Sequence, residues 1–379
     1  MLHPVLAHPS IFMNILGFAL LLAPLVLLHE AGHYAVARLC GVRVKVFSIG
    51  FGREIFGWSD RQGTRWKISM LPLGGYVQFY GDMNATSQPS AEVLAAEAAM
   101  SPEERASCFH LKPLWQRAAV VLAGPLANFI VAVLVFSGFV MAFGQVRALP
   151  VISAFAAPSS AQEAGLLVGD RITAIDGQSV DDFEEIRHKV LPSPGETIAI
   201  TALRDHRELT VRVTIAAKTV RDEFGNEQKI GMLGIASGKL ALVRVGPLAS
   251  LGAGLKQSVD VMGMMVTGIR QIVTGSRSVK ELGGPVKIAR YSGERLSLGW
   301  VEFVYFSGFI SINLAFINLL PIPGLDGGHL AFYLAEAVRR KPLGSRAQDW
   351  AFRTGMALVL ALMVFVTLND LASLHLFGS

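Results

Sequence analysis

Residues 11–36 read IFMNILGFALLLAPLVLLHEAGHYAV. No charged residue occurs from Ile11 to Leu28, and the run approaches the roughly 20 apolar residues that cross a bilayer as a helix. It closes on His29-Glu30-Ala31-Gly32-His33. Helical positions four apart share a face, so both imidazoles project the same way with the carboxylate beside them. Ionisable groups in an apolar segment are costly and are functional candidates by default. The plainer alternative ends the helix at the interface near Leu28 and leaves the triplet simply hydrated.

Three further stretches approach the same length: 118–143 (AAVVLAGPLANFIVAVLVFSGFVMAF), 301–323 (VEFVYFSGFISINLAFINLLPIP) and 350–372 (WAFRTGMALVLALMVFVTLNDLA). Residues 247–274 carry Met and Val at helical spacing but are interrupted by Lys256, Asp260 and Arg270. They read as an amphipathic interfacial helix, with a short fifth span as the alternative. Of the 379 residues 52% are apolar and 17% charged, with a mean hydropathy of +0.46. That composition excludes a disordered chain, a disulfide-rich secreted module and an ordinary soluble enzyme.

The net charge of +5 and a pI near 9.3 would suit nucleic acid, but the basic residues lie where a membrane topology puts them. Arg38, Arg43, Lys45, Arg53, Arg61, Arg65, Lys67, Arg105, Lys112 and Arg117 separate the first two spans, and Arg339, Arg340, Lys341 and Arg346 separate the last two. No Lys or Arg precedes Arg38 or follows Arg353. Basic loops face the cytoplasm, so four spans with both termini outside satisfy the pattern. No nucleic-acid partner is expected. The missing basic n-region also argues that the first run is retained rather than cleaved. Cys40 and Cys108 are too few for a disulfide framework and read as free thiols.

Between the second and third spans, residues 149–238 hold the strand-like runs PVISAF, DRITAIDG, TIAITAL and ELTVRVTIA. Turns are expected at Asp176-Gly177 and Asp205-His206, and DDFEEIRHKV reads as a helix capped by Asp181. Residues 43–80 alternate apolar and polar, which predicts a hairpin or small sheet with Gly-rich bends. Residues 84–107 are polar and Ala-rich and read as a linker with one or two helical turns. The chain thus divides into a first spanning helix (1–42), a hairpin region (43–82), a linker (83–117), a second span (118–146), a mostly β domain (147–240), an amphipathic region (241–300) and two last spans (301–379).

HExxH on a helix can share one zinc ion between its imidazoles, with the glutamate as general base. A third protein ligand is then needed. Span three ends Asn318-Leu319-Leu320-Pro321-Ile322-Pro323-Gly324-Leu325-Asp326-Gly327-Gly328. Two prolines and three glycines break the helix, which at membrane depth is tolerated only inside protein or along a cavity. Asp326 at the break is the candidate ligand; capping the next helix, GGHLAFYLAEAV, is its competing role. His329 is a rival ligand, read rather as a polar residue at a helix start. In span two, Gly124 allows close helix approach. Asn128 either bonds a substrate backbone or oxyanion or joins helices; Asn313 and Asn318 raise the same choice.

HExxH in the first span, Gly124-xxx-Asn128 in the second and Asn318-LLPIPGLDG in the third together resemble the site-2 protease family of intramembrane zinc metalloproteases. Ala164-Gly-Leu-Leu-Val-Gly-Asp170 with RITAIDGQSV is similar to a bacterial PDZ domain, and GGPVKIA (283–289) to the stretch after it. The resemblance implies an α-helical multi-pass protein of the bacterial inner membrane, with the PDZ domain and both termini periplasmic. It implies zinc held by His29, His33 and Asp326, Glu30 as acid/base, and Asn318 near the substrate. It makes 43–80 a membrane-reentrant hairpin presenting an extended substrate strand. Regulated intramembrane proteolysis of single-span proteins would follow, the substrate being a trimmed anti-sigma factor or a remnant signal peptide. The PDZ domain would bind a new C-terminus or gate access from the lipid bilayer. One departure is a single PDZ domain where close family members carry two. Two rival readings are a membrane-anchored protease whose HExxH lies in a soluble domain, and a PDZ scaffold with a decayed core; the Asp326 break opposes the first and the intact Glu30 the second.

Overall fold

A computed structural model describes residues 10–81, 100–221, 227–275, 283–341 and 344–373. The chain forms two compact units, residues 139–250 and the remainder on either side.

The larger unit begins with helix α1 (Ile11–Leu39), whose N-cap Ser10 accepts from the Met13 amide. Its buried residues are Gly17, Leu21, Leu25, His29, His33 and Ala37. They recur every fourth position, a single ridge of the kind that packs helix on helix. The two histidines belong to that ridge, so α1 continues past Leu28 and buries the triplet's imidazoles. Strands β1 (Val44–Ser59) and β2 (Arg65–Phe79) follow. Residues 82–99 of the expected linker lie outside the described residues; its end forms α2 (Pro102–Ser107), closed by a Ser101/Glu104 capping box. Helix α3 (Leu114–Phe143) then crosses α1 closely: a Cβ on Gly32 would strike the Ala123 carbonyl. Cys40 and Cys108 are free thiols.

The smaller unit starts with β3 (Gln145–Ala148), β4 (Ala154–Phe155) and the single turn α4 (Ser160–Glu163). After them come β5 (Arg171–Ile175), β6 (Gln178–Ser179), α5 (Phe183–Val190), β7 (Thr197–Arg204) and β8 (Arg207–Thr214). Strands β9 (Ala216–Arg221), β10 (Glu227–Met232), β11 (Ile235–Ala236) and β12 (Leu240–Val243) complete it. The main sheet runs β6-β5-β7-β8, flanked by the pairs β9–β10, β4–β11 and β3–β12. Asp176-Gly177 and Asp205-His206 make the expected two-residue turns, all four at positive φ, as hairpin twist requires. The cap of α5 is Asp182 rather than Asp181: Asp182 Oδ1 accepts from the Glu185 amide, and the Glu185 carboxylate accepts from the Asp181 amide.

The larger unit resumes along α6 (Pro247–Val273) and continues with α7 (Pro285–Leu298), α8 (Trp300–Leu319), α9 (Asp326–Arg339) and α10 (Ser345–Ser373). The stretch 247–274 is helical as expected, but its inner side is packed on protein. Gly254 abuts Ser137 of α3, and Val261 shares a core with Ala132, Phe136 and Ile312. Lys256, Asp260 and Arg270 stay on the exposed side. Gly17 of α1 meets the backbone of Ser292 and Gly293 in α7. Buried Asp370 of α10 accepts from the Gly284 and Lys287 amides at the start of α7, a carboxylate completing a helix N-terminus. Among the described residues, four helices are long and apolar enough to cross a membrane: Ile11–Leu39, Leu114–Phe143, Trp300–Leu319 and Gln348–Leu371. The third stops at Leu319, four residues before the expected 323, because Pro321 and Pro323 cannot continue it.

In the β unit Asp170 is buried, and both its carboxylate oxygens accept from Arg204 at 2.8 Å. These bonds hold its carboxyl below the usual carboxylate range. A depressed pKa contributes stability that is present above the unfolded value, near 3.9, and lost as pH falls through the folded value. Arg204→Ala should cost about 2–3 kcal/mol by leaving a buried carboxylate with no cation and only the Leu167 amide to bond. Hydrogen exchange of the β5 and β7 amides measures this. The variant's deficit should shrink as the pH is lowered below 4.

Candidate metal centre

The ridge of α1 brings His29 and His33 against α3, and the break after α8 brings Asp326 to both. His29 Nε2 lies 3.2 Å from His33 Nε2 and 3.1 Å from Asp326 Oδ2, and His33 Nε2 lies 3.5 Å from the same oxygen. Ligands bound at about 2.0–2.1 Å in a tetrahedral zinc site stand about 3.3 Å apart, so the three atoms form one face of such a tetrahedron. Among the described residues this is the one group of three His, Cys, Asp or Glu side chains that could hold a metal ion.

The rings are fixed from behind. His33 Nδ1 donates to the Val120 carbonyl at 2.8 Å. A carbonyl only accepts, so Nδ1 carries the proton and Nε2 presents a bare lone pair. His29 Nδ1 meets the Asn128 amide at 3.3 Å, and Asn128 Oδ1 is buried without a partner. The two ends of an amide are assigned rather than seen. Turned over, it gives Oδ1 the His29 Nδ1–H and likewise frees Nε2. Donating the far nitrogen to an oxygen is how metal-binding imidazoles are held. The Asn128 backbone carbonyl accepts from Ser311 Oγ of α8 at 2.7 Å, which ties three helices together at this point.

Gly124 faces the imidazoles: a Cβ there would strike Nε2 of both His29 and His33. The space that a methyl group would fill is the space a metal ion requires. Asp326 is the first residue of α9. The N-cap is Leu325 and makes no side-chain cap bond, so the Asp326 carboxylate is turned onto the imidazoles and not onto the helix end. Leu320 to Leu325 form the break, with Gly324 at φ +101°. Gly327 and Gly328 pack so closely on the carbonyls of Leu319, Leu320 and Ile322 that neither position has room for a Cβ.

These groups open onto a cavity of about 240 Å³ that Glu30, Asn318 and His329 also line. Of the seven expected site residues, five thus meet at the cavity. Asn128 and Gly124 stand behind and beneath the imidazoles, which suits orienting them and not touching a substrate. Sequence reasoning missed the Val120 carbonyl and Tyr333, and it set His329 aside. A signal was present for the last two, since His329 and Tyr333 fall three and seven residues after Asp326, on one helix face.

One wall of the cavity is a strand edge. Residues 46–49 register with both 75–78 and 65–68, and 54–59 registers with 65–69. Four segments therefore lie side by side in the order 75–79, 44–49, 65–69, 54–59. The segment 75–79 is an outer edge, and its Tyr76, Val77 and Phe79 line the cavity. The Val77 backbone N–H donates to Glu30, and a Cβ on Gly75 would stand 3.2 Å from Glu30 Cγ.

Gly124→Ala should lower the zinc content of the purified protein at least tenfold, as loss of metal-site order does elsewhere. Gly138→Ala, where a Cβ meets nothing within 4 Å, should leave it unchanged. Elemental analysis after gel filtration reads both.

Residues 17–362 match peptidase family M50. Two relatives are named Putative zinc metalloprotease. Atu1380 of Agrobacterium fabrum is 42% identical over 95% of this chain and 96% of its own. The relative mll0638 of Mesorhizobium japonicum is 41% identical over 94% and 98%. Metalloprotease MmpA of Caulobacter vibrioides is 34% identical over 94% and 96%. Among solved structures, the PDZ domain of the SdrC-like protein Lmo2051 from Listeria monocytogenes covers 23% of this chain at 20% identity, with a TM-score of 0.19, below what establishes a shared fold. The family that the three membrane motifs resemble is thus borne out: the chain belongs to peptidase family M50, the site-2 proteases, and is a multi-pass membrane zinc metalloprotease.

Proposed function

We propose that the chain is an intramembrane endopeptidase that hydrolyses a peptide bond in the spanning segment of single-span membrane proteins. In this reading His29, His33 and Asp326 hold the zinc and Glu30 is the general base. The observation that carries it is the tetrahedral spacing of three donors, two of them on an apolar helix of bilayer length, opening beside Glu30 and the 75–79 strand edge.

A zinc ion held there supplies Lewis acidity toward the scissile carbonyl and acidifies water. The Glu30 carboxylate takes the water's proton and delivers it to the leaving amine nitrogen. Asn318, on the cavity wall, holds the substrate backbone. A spanning helix hides its carbonyls in internal hydrogen bonds, and each bond broken in lipid costs several kcal/mol. An extended substrate adding to the 75–79 edge regains main-chain bonds as it unwinds. The exposed apolar side chains Ile55, Phe56, Trp58 and Met70 of the same sheet suit a hairpin that dips into the bilayer.

The β unit acts as a PDZ domain on the outer side. A cavity of about 220 Å³ between α5 and the 230–235 segment, lined by Ile186, Val190 and Leu233, suits a peptide end such as a newly cut C-terminus. In this reading the chain lies in the inner membrane with α2, the hairpin and the α9–α10 connection on the cytoplasmic side and both termini in the periplasm, which the clustering of basic residues in those loops supports. Substrates of this kind are anti-sigma factors trimmed on their outer side and remnant signal peptides.

Glu30→Gln should lower cleavage of a single-span substrate with a shortened outer domain by roughly 10²–10⁴-fold while zinc content stays at one per chain. Asp326→Ala should weaken zinc binding and lower the zinc content. Detergent-purified protein, assayed for cleavage and metal together, distinguishes them: full activity in Glu30→Gln would sink the mechanism, and unchanged zinc affinity in Asp326→Ala, where His29 and His33 alone should keep a weaker, still measurable binding, would sink the ligand set.

A further inference from the structure

Helix α9 is fastened at two points. At its first residue, Asp326 reaches both imidazoles. Ten residues on, about 15 Å along the axis, Glu336 Oε1 accepts from Arg117 Nη2 of α3 at 2.7 Å. The guanidinium is held on two further sides: Nε donates to the Lys112 carbonyl at 3.1 Å, and Cζ lies 4.9 Å over the Tyr333 ring. The two charged side chains are only 17% and 22% exposed. An ion pair with fixed geometry and little solvent is not the near-neutral surface kind, and removing one member leaves a charge poorly solvated.

Asp326, His329, Tyr333 and Glu336 follow at intervals of three, four and three, so one helix face carries the metal donor, two cavity-lining side chains and the ion pair. Close backbone packing of Gly327 and Gly328 holds the start of α9 against the break but leaves the direction of its axis open. The helix enters from the break at Leu320 to Leu325 and leaves through Arg340 in the left-handed region at φ +53°. Side-chain contacts along the helix therefore set its tilt. A rotation of about 10° around the Glu336 end would displace Asp326 by about 2.6 Å over that length. Metal–ligand distances tolerate only about 0.2 Å.

We propose that Arg117 is a positioning residue for the metal centre: by clasping Glu336 and Tyr333 it seats α9 and so holds the Asp326 carboxylate on the imidazole pair. The proposal rests on Asp326 being the third metal donor.

The test is zinc affinity of the full-length, detergent-purified protein by chelator competition, for Arg117→Ala, Glu336→Ala, the charge swap Arg117→Glu with Glu336→Arg, Asp326→Ala, and Arg117→Ala combined with Asp326→Ala. Arg117→Ala and Glu336→Ala should each weaken zinc binding at least tenfold, in the range seen when supports of metal ligands are lost. The swap should recover most of that loss. In the Asp326→Ala background, Arg117→Ala should add nothing, because its effect runs through the missing carboxylate. A merely structural role predicts the opposite, the same loss in both backgrounds, and that result overturns the proposal. Unchanged zinc affinity in both single variants overturns it too. If Asp326→Ala itself binds zinc like the wild type, the ligand reading fails first and the proposal falls with it. Should Arg117→Ala fail to fold, Glu336→Ala alone and in the Asp326→Ala background carries the same comparison.

Discussion

Two imidazoles from a helix apolar and long enough to cross a membrane meet a carboxylate within 3.5 Å. Isolated, each would be expensive at membrane depth. Together, and with their outer atoms bonded, they form a preorganised pocket for a cation. Much of the larger unit serves this convergence. The four-residue ridge of α1 turns both histidines onto α3. Gly32 lets the two backbones touch, Gly124 leaves the ion's volume empty, and the Val120 carbonyl and Asn128 decide which ring nitrogen faces inward.

The third donor comes from a different structural logic. Asp326 owes its place to a failure of helix: two prolines end α8, a left-handed glycine reverses the chain, and two glycines let α9 start against the carbonyls it has just left. A carboxylate at a helix start would ordinarily cap it. Here the first turn of α9 goes without a side-chain cap, and the oxygen that would have satisfied it is spent on the imidazoles. Local stability is given up where chemistry needs the group.

Much of this was legible in the sequence. HExxH within a charge-free run, the proline–glycine break ahead of Asp326 and the turn pairs Asp176-Gly177 and Asp205-His206 carry their geometry in residue type and spacing. What was not legible depends on chain segments far apart. The double registry of residues 46–49 with 65–68 and 75–78 follows from how two long strands fold back on each other, and alternation alone cannot show it. The Val120 carbonyl has no side-chain signature. The shift from Asp181 to Asp182 turned on which of two adjacent carboxylates met the Glu185 amide, a matter of one peptide rotation. For α6, the charges Lys256, Asp260 and Arg270 masked a face that packs on α3 and α8.

The order in which the donors occur along the chain has its own consequence. His29, His33 and the α3 groups that orient them are all made early, while Asp326 is made after the whole β unit and most of the remaining helices. Any fragment that stops short of Asp326 holds at most two of the three side chains that could bind a metal together. The site therefore reports on the finished fold: it exists only where the two ends of the larger unit have met.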